Sequence, residues 1–419
     1  MIDGQEARRA VEAVWRMESA RIVGALARYT GDLPLAEDVA QEALAEALVS
    51  WSTRGVPDAP ASWLLTVGRR RAIDAFRRRA GRDERYAALA RDLGDVPGVD
   101  QLFDPDAIDD DVLALIFTAC HPVLPKEARV ALTLRVVAGL TTDEIARAFL
   151  VPVATVQARI TRAKKALAAA RVPFAVPEPE ERALRLGSVL SVVYLVFTEG
   201  SSASGETWIR TDLAEEAVRL ARVLVRLEPE PEAYGLLALL ELTAARFPAR
   251  IDEAGRPVLL EDQDRRRWDR AAIRRGRAAL ALAGAAGRGL GPYGLQAAIA
   301  ECHAVAPSVA ETGWERVVVL YAALRQVAPS PVVELNAAVA VAMASGPAAG
   351  LTLVDAIAER GELAGSHLLP AVRAELLARL GRRAEARAEY ARALERCASV
   401  SEQHVLRRKV EALDAAPGT

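Results

Sequence analysis

The chain has 419 residues, 52% of them hydrophobic, which is ample material for two to four domains with real cores. Its formal net charge of −2 says little as a sum, but three unpaired-looking cysteines (Cys120, Cys302, Cys397) argue against a disulfide framework or a zinc cluster and fit a reducing cytosol. No apolar signal core follows Met1, and the longest greasy run, Leu186 to Phe197, reads as too short and interrupted to span a bilayer, so a soluble cytoplasmic protein is expected.

Ala, Leu, Arg and Glu dominate, apolar residues recur at three and four, and no convincing period-two run exceeds a few residues. An all-α fold follows. In the helix after Pro34, Asp38, Gln41, Glu42 and Ala45 share a face at i, i+3, i+4 and i+7. From Trp63 to Arg79 a second pattern turns Leu65, Gly68, Ala72 and Ala75 inward and points Arg69, Arg70, Arg71, Arg77, Arg78 and Arg79 outward. Guanidinium groups along about 25 Å of helix suit phosphates, each adding sequence-independent, salt-sensitive affinity. Trp51 and Trp63 are candidates to stack on unpaired bases, or to fill the core. Seven arginines between Arg69 and Arg82 are followed by eight aspartates between Asp92 and Asp111, with no Lys or Arg among them. That polarity predicts separate surfaces for a polyanion and for something basic, or a solvated helix and an acidic linker.

Thr141 begins a Thr-x-x-Glu capping box with Glu144, and Leu140 and Ile145 stand where a hydrophobic staple would fix the entry to that helix. Pro152 stops the pattern. A second helix follows with Val156, Ile160, Ala163 and Leu167 on its apolar face, and Thr155, Gln157, Arg159, Arg162, Lys164 and Lys165 elsewhere. Two short helices, the second basic outside, describe a helix-turn-helix with a DNA-reading helix. Beyond the prolines of Val172 to Glu181, residues 182–419 carry weak helical-repeat signs. Ala217, Ala221, Leu224 and Pro229, and again Gly381, Ala386, Tyr390 and Ala393, stand at tetratricopeptide-like spacings, with an insertion-like stretch from Phe247 to Trp268 between them.

The order Asp-x-x-Gln-Glu (Asp38, Gln41, Glu42), then Trp63-Leu-x-x-Val-Gly-Arg69 ending in Asp74-x-x-Arg77-Arg78, an acidic linker and a helix-turn-helix resembles bacterial sigma factors of the extracytoplasmic-function group. Tyr194-Leu-Val-Phe-Thr-Glu-Gly200 and Leu260-Glu-Asp-Gln-Asp-Arg-Arg-Arg-Trp268 look like the subgroup with a long C-terminal extension. The resemblance implies a region 2 domain over 1–80, an acidic linker over 81–110, a region 4 domain over 111–171, and a regulatory helical domain over 182–419. It implies that Asp38, Gln41 and Glu42 meet the β′ clamp helices of core RNA polymerase, with the β flap as a second contact. Trp63, Arg69, Arg70, Arg71, Arg77, Arg78 and Arg79 would serve the −10 element, with a flipped base captured near Thr53 to Ser62. Thr155, Gln157, Arg159, Arg162 and Lys165 would read the −35 element. Tyr194, Phe197, Glu199, Asp262, Asp264, Arg265 and Trp268 would form a C-terminal regulatory motif that receives a protein or small-molecule regulator. No cofactor, metal, membrane contact or catalysis is implied.

Two positions depart from the family pattern. Arg70 replaces a frequent Asn, and Leu150 stands at a turn position often occupied by Gly, predicting a reshaped turn or strain. Two other functional classes fit parts of the chain. A free-standing DNA-binding regulator would use the same helix-turn-helix without polymerase. A fused enzyme would need a polar cleft around Glu199 and Asp262 to Arg265, yet no Gly-rich phosphate loop, Ser-His-Asp order or metal-spaced His cluster accompanies those residues.

Overall fold

The computed structural model describes residues 4–80, 105–149, 151–201, 211–252 and 257–415. Every regular element among them is helical, and one isolated antiparallel bridge joins Ile251 to Pro257. The fold is therefore all-α, with two small helical domains and a large helical C-terminal part. The chain forms two compact units, Met1–Leu195 and Val196–Thr419.

The first unit opens with α1 (Gly4–Thr30), α2 (Leu33–Arg54) and α3 (Pro60–Ala80). Asp32 caps α2, its carboxylate accepting from the Leu35 N–H at 3.0 Å, and Gly55 ends the helix at φ +84. Ile22, Leu26, Val39, Ala43, Leu65 and Phe76 are buried in this bundle. Gly68 lets α3 approach α1, because a Cβ there would lie 2.9 Å from Leu26 Cδ1. The inward face read from the sequence, Leu65, Gly68, Ala72 and Ala75, is buried throughout.

The unit continues with α4 (Pro105–Ala119), α5 (Lys126–Val136), α6 (Thr142–Ala148), α7 (Val153–Ala169) and α8 (Pro179–Ser201), the last crossing the boundary at Leu195. The acidic linker was expected to reach residue 110, but α4 already starts at Pro105, since Pro is well suited to a first helical position. Asp111, the last aspartate of the acidic run, is no free acid. It is buried, with its carboxylate 2.9 Å from Arg28 Nε of α1. Burial pushes its carboxyl pKa up, against the pull of Arg28. The rest of the expected linker and Leu150 lie outside the described residues.

The reading of α8 also needs correction. The helix extends beyond the greasy run at both ends, and at 23 residues it is long and apolar enough, by length and composition, to cross a membrane. Leu186, Val189, Leu190, Val192 and Val193 are buried in the protein. Arg129 and the Cys120 carbonyl both hydrogen-bond to Ser188 on this helix.

The second unit stacks helices on their chain neighbours: α9 (Thr211–Leu227), α10 (Pro231–Ala244), α11 (Arg270–Ala285), α12 (Pro292–Val305), α13 (Trp314–Val327), α14 (Pro331–Ser345), α15 (Pro347–Glu359), α16 (Leu368–Arg379), α17 (Arg383–Arg396) and α18 (Val400–Ala415). Of the residues at tetratricopeptide-like spacing, Ala217, Ala221, Leu224, Ala386, Tyr390 and Ala393 are buried, whereas Pro229 and Gly381 are exposed. Small residues set the distance between helices: a Cβ on Gly350 of α15 would meet the Ala342 Cβ of α14 at 2.4 Å. The described residues of the insertion-like stretch form three short 3-10 turns, and Trp268 packs at its end with Leu242, Ala249, Ala272 and Ile273.

Candidate nucleic-acid interface

The stripe on α2 is built as its periodicity demands, but it is not bare. Glu42 is exposed, Gln41 is half-buried with its Nε2 unpaired, and the Asp38 carboxylate accepts from Lys164 Nζ of α7 at 2.8 Å. The neighbouring Glu37 is buried and takes both Lys164 Nζ and Arg135 Nε, the latter at 3.0 Å. Burial works against the Lys164 charge, yet Glu37 and Asp38 outweigh it and raise its pKa. Reading each helix by itself missed this network. Arg135 and Lys164 lie 98 and 127 residues from Glu37, and the one local signal was a Glu beside the exposed stripe.

On α3 the arginines divide into two groups. Arg70, Arg77 and Arg78 are exposed, whereas Arg69 lies 5.1 Å over the Tyr29 ring. Arg71 is drawn back to α2, with Nη2 2.8 Å from Glu46 and Nε 3.8 Å from Glu42. The side chain of Arg79 lies outside the description. Trp63 is half-buried and meets the buried Trp51 edge-on at 5.7 Å, so Trp51 is the core member of the pair.

The capping box forms as read. The Thr141 N–H donates to Glu144 Oε2 at 2.8 Å, and the Glu144 N–H donates to Thr141 Oγ1 at 3.1 Å. Arg16 of α1 adds a contact to Glu144 at 2.7 Å. Burial alone would raise the Glu144 pKa, but the Thr141 hydrogen bonds and Arg16 hold it below the usual carboxylate value. Nearby, Gly139 turns at φ +71, where a Cβ would strike Ser19 Oγ at 2.6 Å. Along α7, Val156, Ile160, Ala163 and Leu167 are buried, Gln157, Arg162 and Lys165 are exposed, and Thr155 and Arg159 are half-buried. This is a helix-turn-helix with a basic outer face.

Residues 14–82 match Sigma-70 region 2 and residues 114–167 match Sigma-70, region 4. The chain is 30% identical to the RNA polymerase sigma-H factor of Pseudomonas aeruginosa, over 37% of this chain and 82% of that protein. It belongs to the sigma-70 family of RNA polymerase sigma factors. The ECF RNA polymerase sigma-E factor of Haemophilus influenzae is 29% identical, over 35% of this sigma factor and 78% of its own length. An uncharacterized protein of Rhizobium meliloti is 45% identical over 95% of the chain and 94% of its own. Residues 185–284 match a family of unknown function. No solved structure matches the chain. Regions 2 and 4 imply core RNA polymerase and promoter DNA as partners of the sigma factor.

The C-terminal motif of this sigma factor divides between surface and core. Phe197 is buried and stacks on Phe247 at 5.9 Å, while Tyr194 and Glu199 are half-buried. Asp262 and Asp264 are exposed, and Asp264 pairs with Arg266 at 3.0 Å. Arg265 lies 4.5 Å over Trp268 and donates from Nη1 to the carbonyls of His303 and Ala306, both at 2.6 Å. This guanidinium therefore ties the loop to the end of α12. Burial and then the charges of Arg246 and Arg265 hold the His303 pKa down at about 4. The C-terminal motif read from the sequence includes neither Arg246 nor His303.

Proposed function

We propose that the chain is an alternative sigma factor that joins core RNA polymerase and directs it to promoters, with Asp38, Gln41 and Glu42 meeting the β′ clamp helices and region 4 meeting the β flap. Arg69, Arg70, Arg71, Arg77, Arg78 and Arg79, with Trp63, serve the −10 element. Thr155, Gln157, Arg159, Arg162 and Lys165 serve the −35 element, and the acidic segment before α4 joins the two readers. Linked sites make modest individual affinities effective through local concentration. The observation that carries this reading is that one compact unit holds two basic surfaces, exposed Arg70, Arg77 and Arg78 on α3 and exposed Arg162 and Lys165 on α7, with Gln157 exposed beside the latter.

The arrangement of α2 and α7 supports a resting state in which the sigma factor is closed on itself. Lys164 holds Asp38 and Glu37, so the polymerase-binding stripe and the promoter-reading helix occupy each other. Core polymerase must then compete for Asp38. Residues 182–419 control this step by accepting a protein or small-molecule regulator, with Tyr194, Phe197, Glu199, Asp262, Asp264, Arg265 and Trp268 as the regulatory motif. The protein acts in the cytoplasm.

The test of the polymerase surface is binding of labelled core enzyme to the full chain and to a variant with Asp38→Ala, Gln41→Ala and Glu42→Ala. A loss of affinity of tenfold or more is expected. Equal binding would favour a free-standing regulator. For the C-terminal part, removing residues 196–419 should change promoter output or its response to signal, and unchanged values of both would overturn the regulatory assignment.

A further inference from the structure

Three helix ends meet in the C-terminal unit: His367 just before α16, Cys397 just after α17, and Glu402 in the first turn of α18. His367 Nε2 lies 3.2 Å from Glu402 Oε2, and Cys397 Sγ lies 3.6 Å from the same oxygen. All three donor atoms fall within 4.8 Å of one another. Metal–ligand bonds of roughly 2.0–2.3 Å in a tetrahedral array place neighbouring donors roughly 3.2–3.8 Å apart, so the two measured separations already match such an array.

The backbone around the donors is fixed by its own hydrogen bonds. Gln403 Nε2 donates to the Cys397 carbonyl at 2.6 Å, and the Glu402 N–H donates to Ser399 Oγ at 3.3 Å. Cys397 is buried, in a cluster with Ala374, Tyr390, Ala393 and Leu406. His367 and Glu402 are half-buried or more open, and both line a cavity of about 370 Å³ whose walls include Met343, Leu368, Ala371 and Leu406. Two of the three donors, His367 and Glu402, line this cavity, so one coordination position is left toward a mainly apolar space in which Arg379 and Lys409 are both paired with Glu375. A nitrogen, a sulfur and an oxygen donor select a borderline-soft divalent ion of the zinc class and disfavour magnesium or calcium.

We infer that His367, Cys397 and Glu402 form a zinc-class metal site with an open fourth position directed into this cavity. Binding exchanges the Cys397 thiol proton for the metal, the proton passing to solvent, and involves no redox change. The site lies in the C-terminal unit and does not require region 2 or region 4 to be engaged.

The test uses the full chain, stripped with chelator and dialysed, then titrated with Zn²⁺ against a competing chromophoric chelator and, separately, with Co²⁺. One equivalent of zinc per chain is expected, together with a cobalt spectrum that combines four-coordinate d–d bands with a thiolate-to-cobalt charge-transfer band. Cys397→Ser should abolish the charge-transfer band, and His367→Ala or Glu402→Gln should weaken zinc by at least about tenfold with helicity unchanged. The wild-type cobalt spectrum reports on the thiolate even if a variant fails to fold. Absence of stoichiometric metal in the wild type would leave a hydrogen-bonded triad and overturn the inference. So would a cobalt spectrum that Cys397→Ser leaves unchanged.

Discussion

Replacing Lys164 by Met keeps the aliphatic stem against the protein and removes only the charge that closes α7 onto α2. Glu37 keeps Arg135 at 3.0 Å, so the substitution leaves no buried carboxylate unpaired. The lost contacts are unequal. Glu37 is 6% exposed and Lys164 18%, so their charged hydrogen bond contributes about 1.5 kcal/mol or somewhat more. The Asp38 side chain is 59% exposed, and solvent screening reduces its share to about 0.5 kcal/mol. Together these shift a closed–open equilibrium by about 2 kcal/mol, or about 30-fold. If core polymerase binds the open form, apparent affinity rises by up to that factor, because the cost of populating the competent state falls. Fluorescence anisotropy with labelled core enzyme and no DNA measures it directly, with circular dichroism to verify folding. A folded Lys164→Met variant that binds core with unchanged or weaker affinity would refute the closed resting state.

The capping box predicts that Thr141→Ala destabilises α6 by about 1 kcal/mol, read as a lower midpoint of urea unfolding and weaker binding to a −35 duplex. Gly350→Val should destabilise the C-terminal unit by about 1–3 kcal/mol in thermal melts, because its Cβ would lie 2.4 Å from that of Ala342 and 2.8 Å from the Ala338 carbonyl oxygen; a neutral result would show that α14 and α15 can separate. His303 gives a pH signature. Its folded pKa of about 4 lies below the ordinary 6.5, so the unfolded chain binds the proton first as pH falls. The associated stability is complete above pH 6.5 and is lost progressively down to pH 4, an effect on the order of 3 kcal/mol. His303→Gln should flatten that part of the stability–pH curve, and an unchanged slope would contradict the assignment.

What could be read from the sequence was local. The Thr141–Glu144 box lies within one helical turn, and the apolar faces of α3 and α7 repeat at three and four, so chemistry and period specified them without a partner. What escaped the reading was set by tertiary packing. Lys164 looked like one more cation on a DNA-facing helix until α2 brought Glu37 and Asp38 beside it. Arg71 belonged by period to the outward basic set, but Glu46, on another helix, takes it. Asp111 read as the last acid of a solvated acidic run and is instead a buried partner of Arg28. Charged residues carry little periodic information about their partners, because a long side chain reaches whichever opposite charge the fold supplies. The His367–Cys397–Glu402 cluster escaped for a similar reason, since its spacing follows no metal motif and exists only where three helix ends meet.

The most direct test of the central claim is reconstituted transcription with core RNA polymerase on a pool of promoter fragments, with the full chain and with Lys164→Met. Initiation is expected from a small subset of fragments, dependent on the chain, with the same start sites and a lower concentration requirement for Lys164→Met. No chain-dependent transcript from any fragment, with either protein and with core enzyme shown to be active, would contradict it.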